Sequence, residues 1–166
     1  MKQIIHQNPW FKIEKNNLKN GNYFVVRKTP AVFVIAQTLD KKIVFIKEYR
    51  FPINQTIWQL PAGGIDNHPP LVAAKRELLE ETGLTGSNWQ KLGQFFVAPG
   101  HEDTKIFVYS TIINQHQTNK KLENNIKEIR YFSPKKIKAM ISNNLINCGI
   151  TLASLNLFFQ KLKATS

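Results

Sequence analysis

Dense runs of β-branched and aromatic residues, separated by short polar turns, predict β-strands along most of the chain. Two pairs of runs are joined by turn-forming sequences, KNGN and TLDKK, which favour hairpin-like connections. The predicted strands, in chain order, are WFKIEKNNL, YFVVRKT, AVFVIAQ, KIVFIKEY, WQKLGQFFVA, TKIFVYSTII and IKEIRYFS.

Three helices and one special loop interrupt the strands. The stretch TIWQLPAGGIDNHPP is rich in Pro and Gly and is predicted as a loop whose backbone turns tightly or approaches another group closely. A helix should follow from about Pro70 to Thr82, with Gly83 ending it. Ser133 and Pro134 look like the N-cap and first residue of a second helix, and TLASLNLFFQKLK is typical of a closing amphipathic helix. Mixed strands with interspersed helices predict an α+β fold in which helices cover both faces of a mixed sheet, an α/β/α sandwich.

Length and composition favour one domain spanning residues 1–166. The chain is 42% hydrophobic and 20% charged, and it contains no repeat and no linker long enough to divide it. Cys148 is the only cysteine, which excludes an intramolecular disulfide framework and suits a reducing compartment. No run approaches the length of a membrane span. We therefore expect a cytoplasmic protein with no membrane partner.

The chain is strongly basic, with 23 Lys and Arg against 11 Asp and Glu and a formal net charge of +12. Such a field attracts anionic partners. The basic residues are scattered singly or in pairs and do not alternate with aromatic residues as a nucleic-acid patch would. A general lysine-rich surface is the favoured explanation, steering of a nucleotide the second, and polymeric nucleic acid the third.

Three carboxylates gather in the stretch KRELLEETGL. Glu77, Glu80 and Glu81 are three or four residues apart or adjacent, so a helix places them on one face. A solvated face with ion pairs would explain Glu80, whose i−4 neighbour is Arg76, but Glu77 and Glu81 have no cation at helical spacing. Hard divalent cations such as Mg²⁺ bind carboxylate oxygens and keep positions open for substrate phosphate. Metal binding is the favoured interpretation.

The stretch GGIDNHPPLVAAKRELLEETGL resembles the Nudix box of Nudix hydrolases. Its second half matches the pattern REUxEExGU, where U is a bulky apolar residue, from Arg76 to Leu84. Its first half departs from the pattern. The family's first glutamate falls at His68 when counted back from Arg76 and at Pro69 when counted forward from Gly63. The resemblance implies the Nudix fold.

The flanks resemble the branch that hydrolyses ADP-ribose and nucleotide sugars. IKEYRFPINQTIWQLPAGGID is similar to that branch's segment from an arginine-bearing strand into ELPAG, except that Gln59 replaces the usual glutamate. Pro99 lies about where the branch has a marker proline. The resemblance implies Mg²⁺-dependent hydrolysis of a nucleoside diphosphate sugar, with Mn²⁺ as a substitute cofactor.

The same resemblance assigns roles to residues. Glu77, Glu80 and Glu81 would bind metal with the Ala62 carbonyl, and Glu80 and Glu81 would thereby be catalytic. Substrate contacts would come from four positions: Arg50, Arg27, Gly63 and Gly64. The catalytic base would be Glu123 in a loop after the box, with Glu128, Glu102 and Asp103 as competitors.

Residues 1–28 would form an N-terminal strand arm, a candidate dimerisation element in a homodimer. Trp10, Phe11 and Tyr23 in this arm could stack a nucleobase or pack in a core or dimer interface. Two alternatives to the main function stay open: a Nudix hydrolase acting on a nucleoside triphosphate, dinucleoside polyphosphate or RNA 5′ end, and a non-catalytic module that senses ADP-ribose.

Overall fold

A computed structural model describes residues 2–113 and 125–164 of the chain. The strands are β1 Lys2–Gln7, β2 Phe11–Leu18, β3 Gly21–Lys28, β4 Ala31–Thr38, β5 Ile43–Arg50, β6 Gln55–Gln59, β7 Ala62–Gly64, β8 Gly86–Phe96, β9 Lys105–Ile113 and β10 Ile126–Phe132. The helices are α1 Pro70–Thr82, α2 Pro134–Ser142 and α3 Gly149–Ala164, with a single 3₁₀ turn at Phe51–Ile53.

A seven-stranded mixed sheet forms the centre of the fold. Its main path runs β10-β5-β4-β9-β8, and β6 and β7 pair with β5 and β4. The pairing of β4 with β9 is parallel, and the other pairings in this sheet are antiparallel. Strand β4 is buried along nearly its whole length, as expected when both faces of a sheet are covered.

Alternation of side chains along β4 separates two hydrophobic cores. Val32 and Val34 pack into a core with α1, through Leu78 among others. Phe33 and Ile35 point to the other core, which contains buried residues of α2 and α3. The helices therefore cover both faces of the sheet, and the predicted α/β/α sandwich is confirmed.

Strands β4 and β5 separate after their connecting turn, and this separation positions the loop after β6. Only Gln37 and Ile43 pair between them. Further along, β4 pairs with β7 from Ala31 to Phe33, while β5 pairs with β6. The prediction of a plain loop over TIWQLPAGGIDNHPP was wrong at β6 and β7, because the gap between the two parent strands supplies hydrogen-bonding partners that local sequence cannot reveal.

Helix α1 has the predicted bounds. Gly83 adopts the left-handed conformation, with φ 70°, and its N–H donates to the Leu79 carbonyl at 2.9 Å. The start of α2 is also as predicted, since the Ser133 hydroxyl accepts a hydrogen bond from the Lys136 N–H at 3.3 Å. Among the described residues, no helix combines the length and the apolar character needed to cross a membrane.

The first three strands form a separate antiparallel sheet in the order β1-β2-β3. This sheet is attached to the rest of the fold by the segment before β9. The Val26 N–H donates to the His101 carbonyl at 2.8 Å, and Lys28 forms an ion pair with Glu102 at 2.8 Å. The predicted N-terminal strand arm is present, and it includes β1, which the sequence patterns did not identify.

Candidate active site

Helix α1 presents two buried carboxylates toward the sheet. Glu77 and Glu81 are 8% and 5% exposed, although they lie one helical turn apart and are like-charged. Glu80, between them in sequence, has 39% of its side chain exposed. Buried carboxylates are costly unless they are hydrogen-bonded or paired with cations. Their burial therefore points to a built site rather than a solvated helix face.

Glu81 is fixed by the backbone of β7. The Ala62 N–H donates to Glu81 Oε2 at 2.8 Å, and this hydrogen bond is buried. A carboxylate that accepts a backbone N–H is held in one orientation. The contact joins the start of β7 to α1, so the Gly-rich segment and the carboxylate face form one unit.

Glu77 packs directly against Gly63. A Cβ atom added to Gly63 would lie 2.1 Å from Glu77 Cδ and 2.3 Å from each carboxylate oxygen, whereas one added to Gly64 would meet nothing within 4 Å. A side chain at position 63 would therefore force the Glu77 carboxylate to move. The two glycines thus differ: Gly63 permits the close approach of the carboxylate, and Gly64 is exposed to solvent.

Arg76 is the cation of this cluster. Its guanidinium contacts Glu77 at 2.7 Å and Glu80 at 3.0 Å, and it donates to the Gly64 carbonyl at 2.9 Å. Burial alone would lower the pKa of the Arg76 guanidinium, but the carboxylates around it raise that pKa above its ordinary value. Arg76 therefore remains protonated and holds the carboxylates together.

The missing first glutamate of the box is not replaced by His68, which is exposed to solvent. Asp66 instead supplies a carboxylate near the box arginine, 3.5 Å from Arg76 Nη2. Together with the Gly64 carbonyl, it ties Arg76 to the loop before α1. Asp66 matches no position of the box pattern, and only its proximity to Arg76 in the fold reveals this contact.

The donor set fits a hard divalent cation. Two buried carboxylates and a third at the surface supply the oxygen ligands that Mg²⁺ prefers. Within the described ranges, no three His, Cys, Asp or Glu side chains are already gathered as a metal-binding group.

Arg50 lies at the end of β5, in a ring of polar contacts with two buried residues. Its Nε donates to Gln59 Oε1 at 3.1 Å, and its Nη2 pairs with Glu48 Oε2 at 3.0 Å. Gln59 closes the ring by donating from Nε2 to the same Glu48 oxygen at 2.6 Å. Gln59 is 1% exposed and Glu48 is 7% exposed, while 41% of the Arg50 side chain is exposed.

A cavity of about 390 Å³ opens beside this ring. Arg50 and Gln59 line it together with apolar side chains and Cys148. Phe33, which also lines it, pairs with Ala62 of β7, the residue whose N–H donates to Glu81. A guanidinium in such a cavity can bind phosphate oxygens at two points.

Arg27 is placed away from the α1 carboxylates, on the N-terminal sheet. It pairs with Glu14 at 2.9 Å and with Asp103 at 3.0 Å. Asp103 and Glu102, the competing base candidates, both pair with cations of β3. These contacts attach the N-terminal sheet to the segment before β9, which gives all three residues a structural role.

Glu123 lies outside the described residues. Glu128 lies on β10, as expected, and is bonded to Arg130. Trp10 is 76% exposed, so it does not belong to a core within this chain, and Tyr23 is 44% exposed and donates to the Gly100 carbonyl. The structure thus brings together the box carboxylates, Ala62 and the two glycines, places Arg50 at a cavity, and places Arg27 on the N-terminal sheet.

Comparison with protein-family models matches residues 27–146 to the NUDIX domain. The chain therefore belongs to the NUDIX domain family. The match covers β4 to β10 and α1, and it includes every carboxylate of the α1 cluster.

Three curated proteins match part of the chain at 36% to 39% sequence identity. The chain is 36% identical over 98 residues to an ADP-ribose pyrophosphatase of Bacillus subtilis (strain 168), covering 58% of this chain and 53% of that protein. It is 39% identical over 87 residues to an ADP-ribose pyrophosphatase of Mycobacterium tuberculosis (strain ATCC 25618 / H37Rv), covering 51% and 42%. It is also 38% identical over 98 residues to a methanol dehydrogenase activator of Bacillus methanolicus, covering 58% and 53%. The matches thus span about half the length of these curated relatives.

A solved structure described as an ADP compounds hydrolase superposes on the whole fold. The TM-score is 0.82, with 18% sequence identity, and the match covers 100% of this chain and 94% of that one. At this identity the likeness establishes the fold. The Nudix fold expected from the sequence is thereby confirmed.

Proposed function

We propose that this chain hydrolyses the diphosphate of ADP-ribose, or of a related nucleoside diphosphate sugar, to a nucleoside monophosphate and a sugar phosphate. The observation that carries the proposal is the pair of buried carboxylates, Glu77 and Glu81, held against the β7 backbone by the Ala62 N–H and the close approach of Gly63. The names of two relatives, both ADP-ribose pyrophosphatases, support the choice of substrate.

Mg²⁺ is the proposed cofactor, with Mn²⁺ able to substitute. Glu77, Glu80 and Glu81 would hold it, with the Ala62 carbonyl as a further ligand. The chemistry that bound Mg²⁺ supplies in such a site is polarisation of phosphoryl oxygens and acidification of a water. The hydrogen bond from Ala62 to Glu81 and the contact of Gly63 with Glu77 would restrict the orientation of these two carboxylates before substrate arrives.

The remaining roles concern substrate and proton transfer. Arg50 would bind the diphosphate from the cavity and offset the repulsion between phosphate and the α1 carboxylates. Glu123 would accept the proton of the attacking water, as the sequence resemblance implies. The water oxygen forms the new bond to one phosphorus of the diphosphate. The P–O bond to the bridging oxygen breaks, and the bridging oxygen leaves with the other monophosphate.

A panel of substrates tests the reaction. The protein is incubated with Mg²⁺ and, separately, ADP-ribose, nucleotide sugars, nucleoside triphosphates and capped RNA, and products are identified by phosphorus NMR. We expect two monophosphates from ADP-ribose. Pyrophosphate release from triphosphates would favour another Nudix substrate, and tight binding of ADP-ribose without turnover would favour a sensor. Either result would contradict the proposal.

Matched variants test the residues. Glu81→Gln should abolish most turnover at millimolar Mg²⁺, and Glu123→Gln should cost the roughly 10²- to 10⁴-fold expected for a positioned base. Glu128→Gln changes a carboxylate on β10 that is bonded to Arg130 and should have little effect. Full turnover by Glu81→Gln would refute the metal assignment, and an equal loss in Glu128→Gln would refute the choice of base.

We also propose a cytoplasmic homodimer formed through the N-terminal sheet. Several apolar side chains of that sheet are about half exposed, including Ile4 at 52% and Phe24 at 52%, and a second copy would cover them. The single cysteine is compatible with a reducing compartment. Phe24→Glu should weaken the dimer in analytical ultracentrifugation, and a wild-type protein that stays monomeric at micromolar concentration would contradict the assignment.

A further inference from the structure

The ring formed by Arg50, Gln59 and Glu48 depends on the chemistry of an amide. Gln59 accepts from Arg50 Nε through Oε1 and donates to Glu48 Oε2 through Nε2. An ionised carboxylate at this position could accept from Arg50 but could not donate to Glu48. Because Gln59 is almost fully buried, solvent would not supply the missing partner.

The net charge of the ring also depends on an uncharged side chain at position 59. Arg50 and Glu48 carry opposite charges and Gln59 carries none, so the formal sum is zero. A glutamate at position 59 would make that sum −1 and would place two buried carboxylates side by side, which is unfavourable in a region of low dielectric. The two carboxylates would then outweigh the single positive charge of Arg50.

We propose that Gln59 is a positioning residue that keeps the Arg50 guanidinium in one orientation and keeps the cavity receptive to an anionic substrate group. This inference rests on the proposed function, because the anion would be the diphosphate or the sugar-linked phosphate of the substrate. Gln59 acts through Arg50 and does not itself contact the reacting atoms. Substrate binding, rather than the chemical step, should therefore respond to its charge.

A set of four proteins forms a ladder of charge at this ring. Glu48→Gln gives a formal sum of +1, the wild type gives 0, and Gln59→Glu gives −1. The double variant Glu48→Gln/Gln59→Glu exchanges the two side chains and returns the sum to 0. The exchange also preserves the ring, because the new amide can donate to the new carboxylate while both accept from Arg50.

The expected effect on kinetics is a change in KM. One unit charge acting on another at about 6 to 8 Å changes an equilibrium by about twofold to about a hundredfold between effective dielectric constants of about 80 and about 20. KM for ADP-ribose should therefore rise by at least about twofold in Gln59→Glu, with a smaller change in kcat. The exchanged double variant should return to the wild-type KM.

Gln59→Met separates orientation from charge. Methionine has a similar length but supplies neither hydrogen bond of the ring, and it leaves the formal charge at zero. It should raise KM less than Gln59→Glu does. Thermal unfolding of every variant identifies any that fails to fold. If Gln59→Glu fails, comparison of Glu48→Gln with the double variant still measures the effect of one added negative charge at position 59.

Cys148 provides a readout that does not require turnover. It is the only cysteine in the chain and lines the same cavity as Arg50 and Gln59. Its rates of modification by the anionic reagent 2-sulfonatoethyl methanethiosulfonate and by the cationic 2-trimethylammonioethyl analogue can be followed by mass spectrometry. Taking the ratio of the two rates removes the common effect of thiol accessibility and thiolate fraction.

The anionic-to-cationic ratio should follow the ladder, highest in Glu48→Gln, equal in wild type and the double variant, and at least about threefold lower in Gln59→Glu. Gln59→Met should keep the wild-type ratio. Ratios that do not follow the ladder, or a double variant that resembles Gln59→Glu in KM, would overturn the proposal. Absence of ADP-ribose hydrolysis by the wild type would end the proposed function instead, and the reagent ratios would still decide the role of Gln59.

Discussion

Replacing Gly63 by alanine tests whether the contact between β7 and Glu77 sets the geometry of the carboxylate site. The added Cβ would lie 2.1 Å from Glu77 Cδ. Among the described glycines, positive φ values occur at Gly21 and Gly83 and not at Gly63, so alanine can adopt the backbone conformation required. The substitution therefore perturbs the contact without straining the chain.

The size of the displacement follows from that distance. Ordinary van der Waals contact begins at 3.4 Å, so the Glu77 carboxylate and Cβ must separate by at least 1.3 Å relative to their present approach. Such a shift would also disturb the 2.7 Å ion pair between Arg76 and Glu77. A misplacement of about 1 Å in an active site can cost about 10²-fold in rate. We therefore expect kcat to fall about 10²-fold and the Mg²⁺ concentration for half-maximal activity to rise.

Gly64→Ala is the matched control, since a Cβ at that position meets nothing within 4 Å. Initial rates of ADP-ribose hydrolysis are measured over a Mg²⁺ titration for both variants and for wild type. Urea unfolding shows whether each variant is folded, because overpacking alone costs about 1–3 kcal/mol. A folded Gly63→Ala protein with wild-type kcat and Mg²⁺ dependence would refute the reasoning, as would an equal loss in Gly64→Ala.

The remaining predictions concern stability. Hydrogen bonds from Lys2 and Arg27 lower the pKa of Glu14 from 4.5 to about 2, so the stabilisation that this carboxylate provides is fully present above about pH 4.5 and is lost as pH falls toward about 2. Acid unfolding curves of Glu14→Gln should therefore approach those of wild type over that range, and a constant difference would contradict this. Leu78→Ala should destabilise the fold by about 2–5 kcal/mol in urea unfolding because Leu78 is fully buried, whereas Leu79→Ala, at a position 40% exposed, should cost clearly less; equal costs would contradict the assignment of the core face of α1. Gly83→Ala should cost about 1 kcal/mol because Gly83 has φ 70°, and an unchanged midpoint would contradict a strain argument at this cap.

Local patterns were sufficient for the helix that carries the site. The sequence placed α1 between Pro70 and Thr82 and put its carboxylates on one face, and both predictions were confirmed because helical periodicity and the Gly83 cap depend only on neighbouring residues. The same holds for Ser133 at the start of α2. Family membership was likewise readable from one short motif.

Contacts between distant residues were not readable in that way. Arg50 was a candidate from the sequence, but its ring with Gln59 and Glu48 forms because β6 pairs with β5 in one register. Asp66 was overlooked because its contact with Arg76 depends on the path of the loop before α1. Arg27 was assigned to substrate binding, and the structure shows it paired with Glu14 and Asp103 on the N-terminal sheet.

The sequence by itself determined the three helices, the longer strands, the mixed α/β/α class and the identity of the carboxylate cluster, since these follow from residue type and from spacings of a few residues. Tertiary structure decided which groups touch. It set Gly63 against Glu77, Ala62 against Glu81, and an uncharged amide between Arg50 and Glu48. The physical reason is that hydrogen bonds and close packing require ångström-scale distances, and the separation of β4 from β5 sets those distances between segments far apart in the chain.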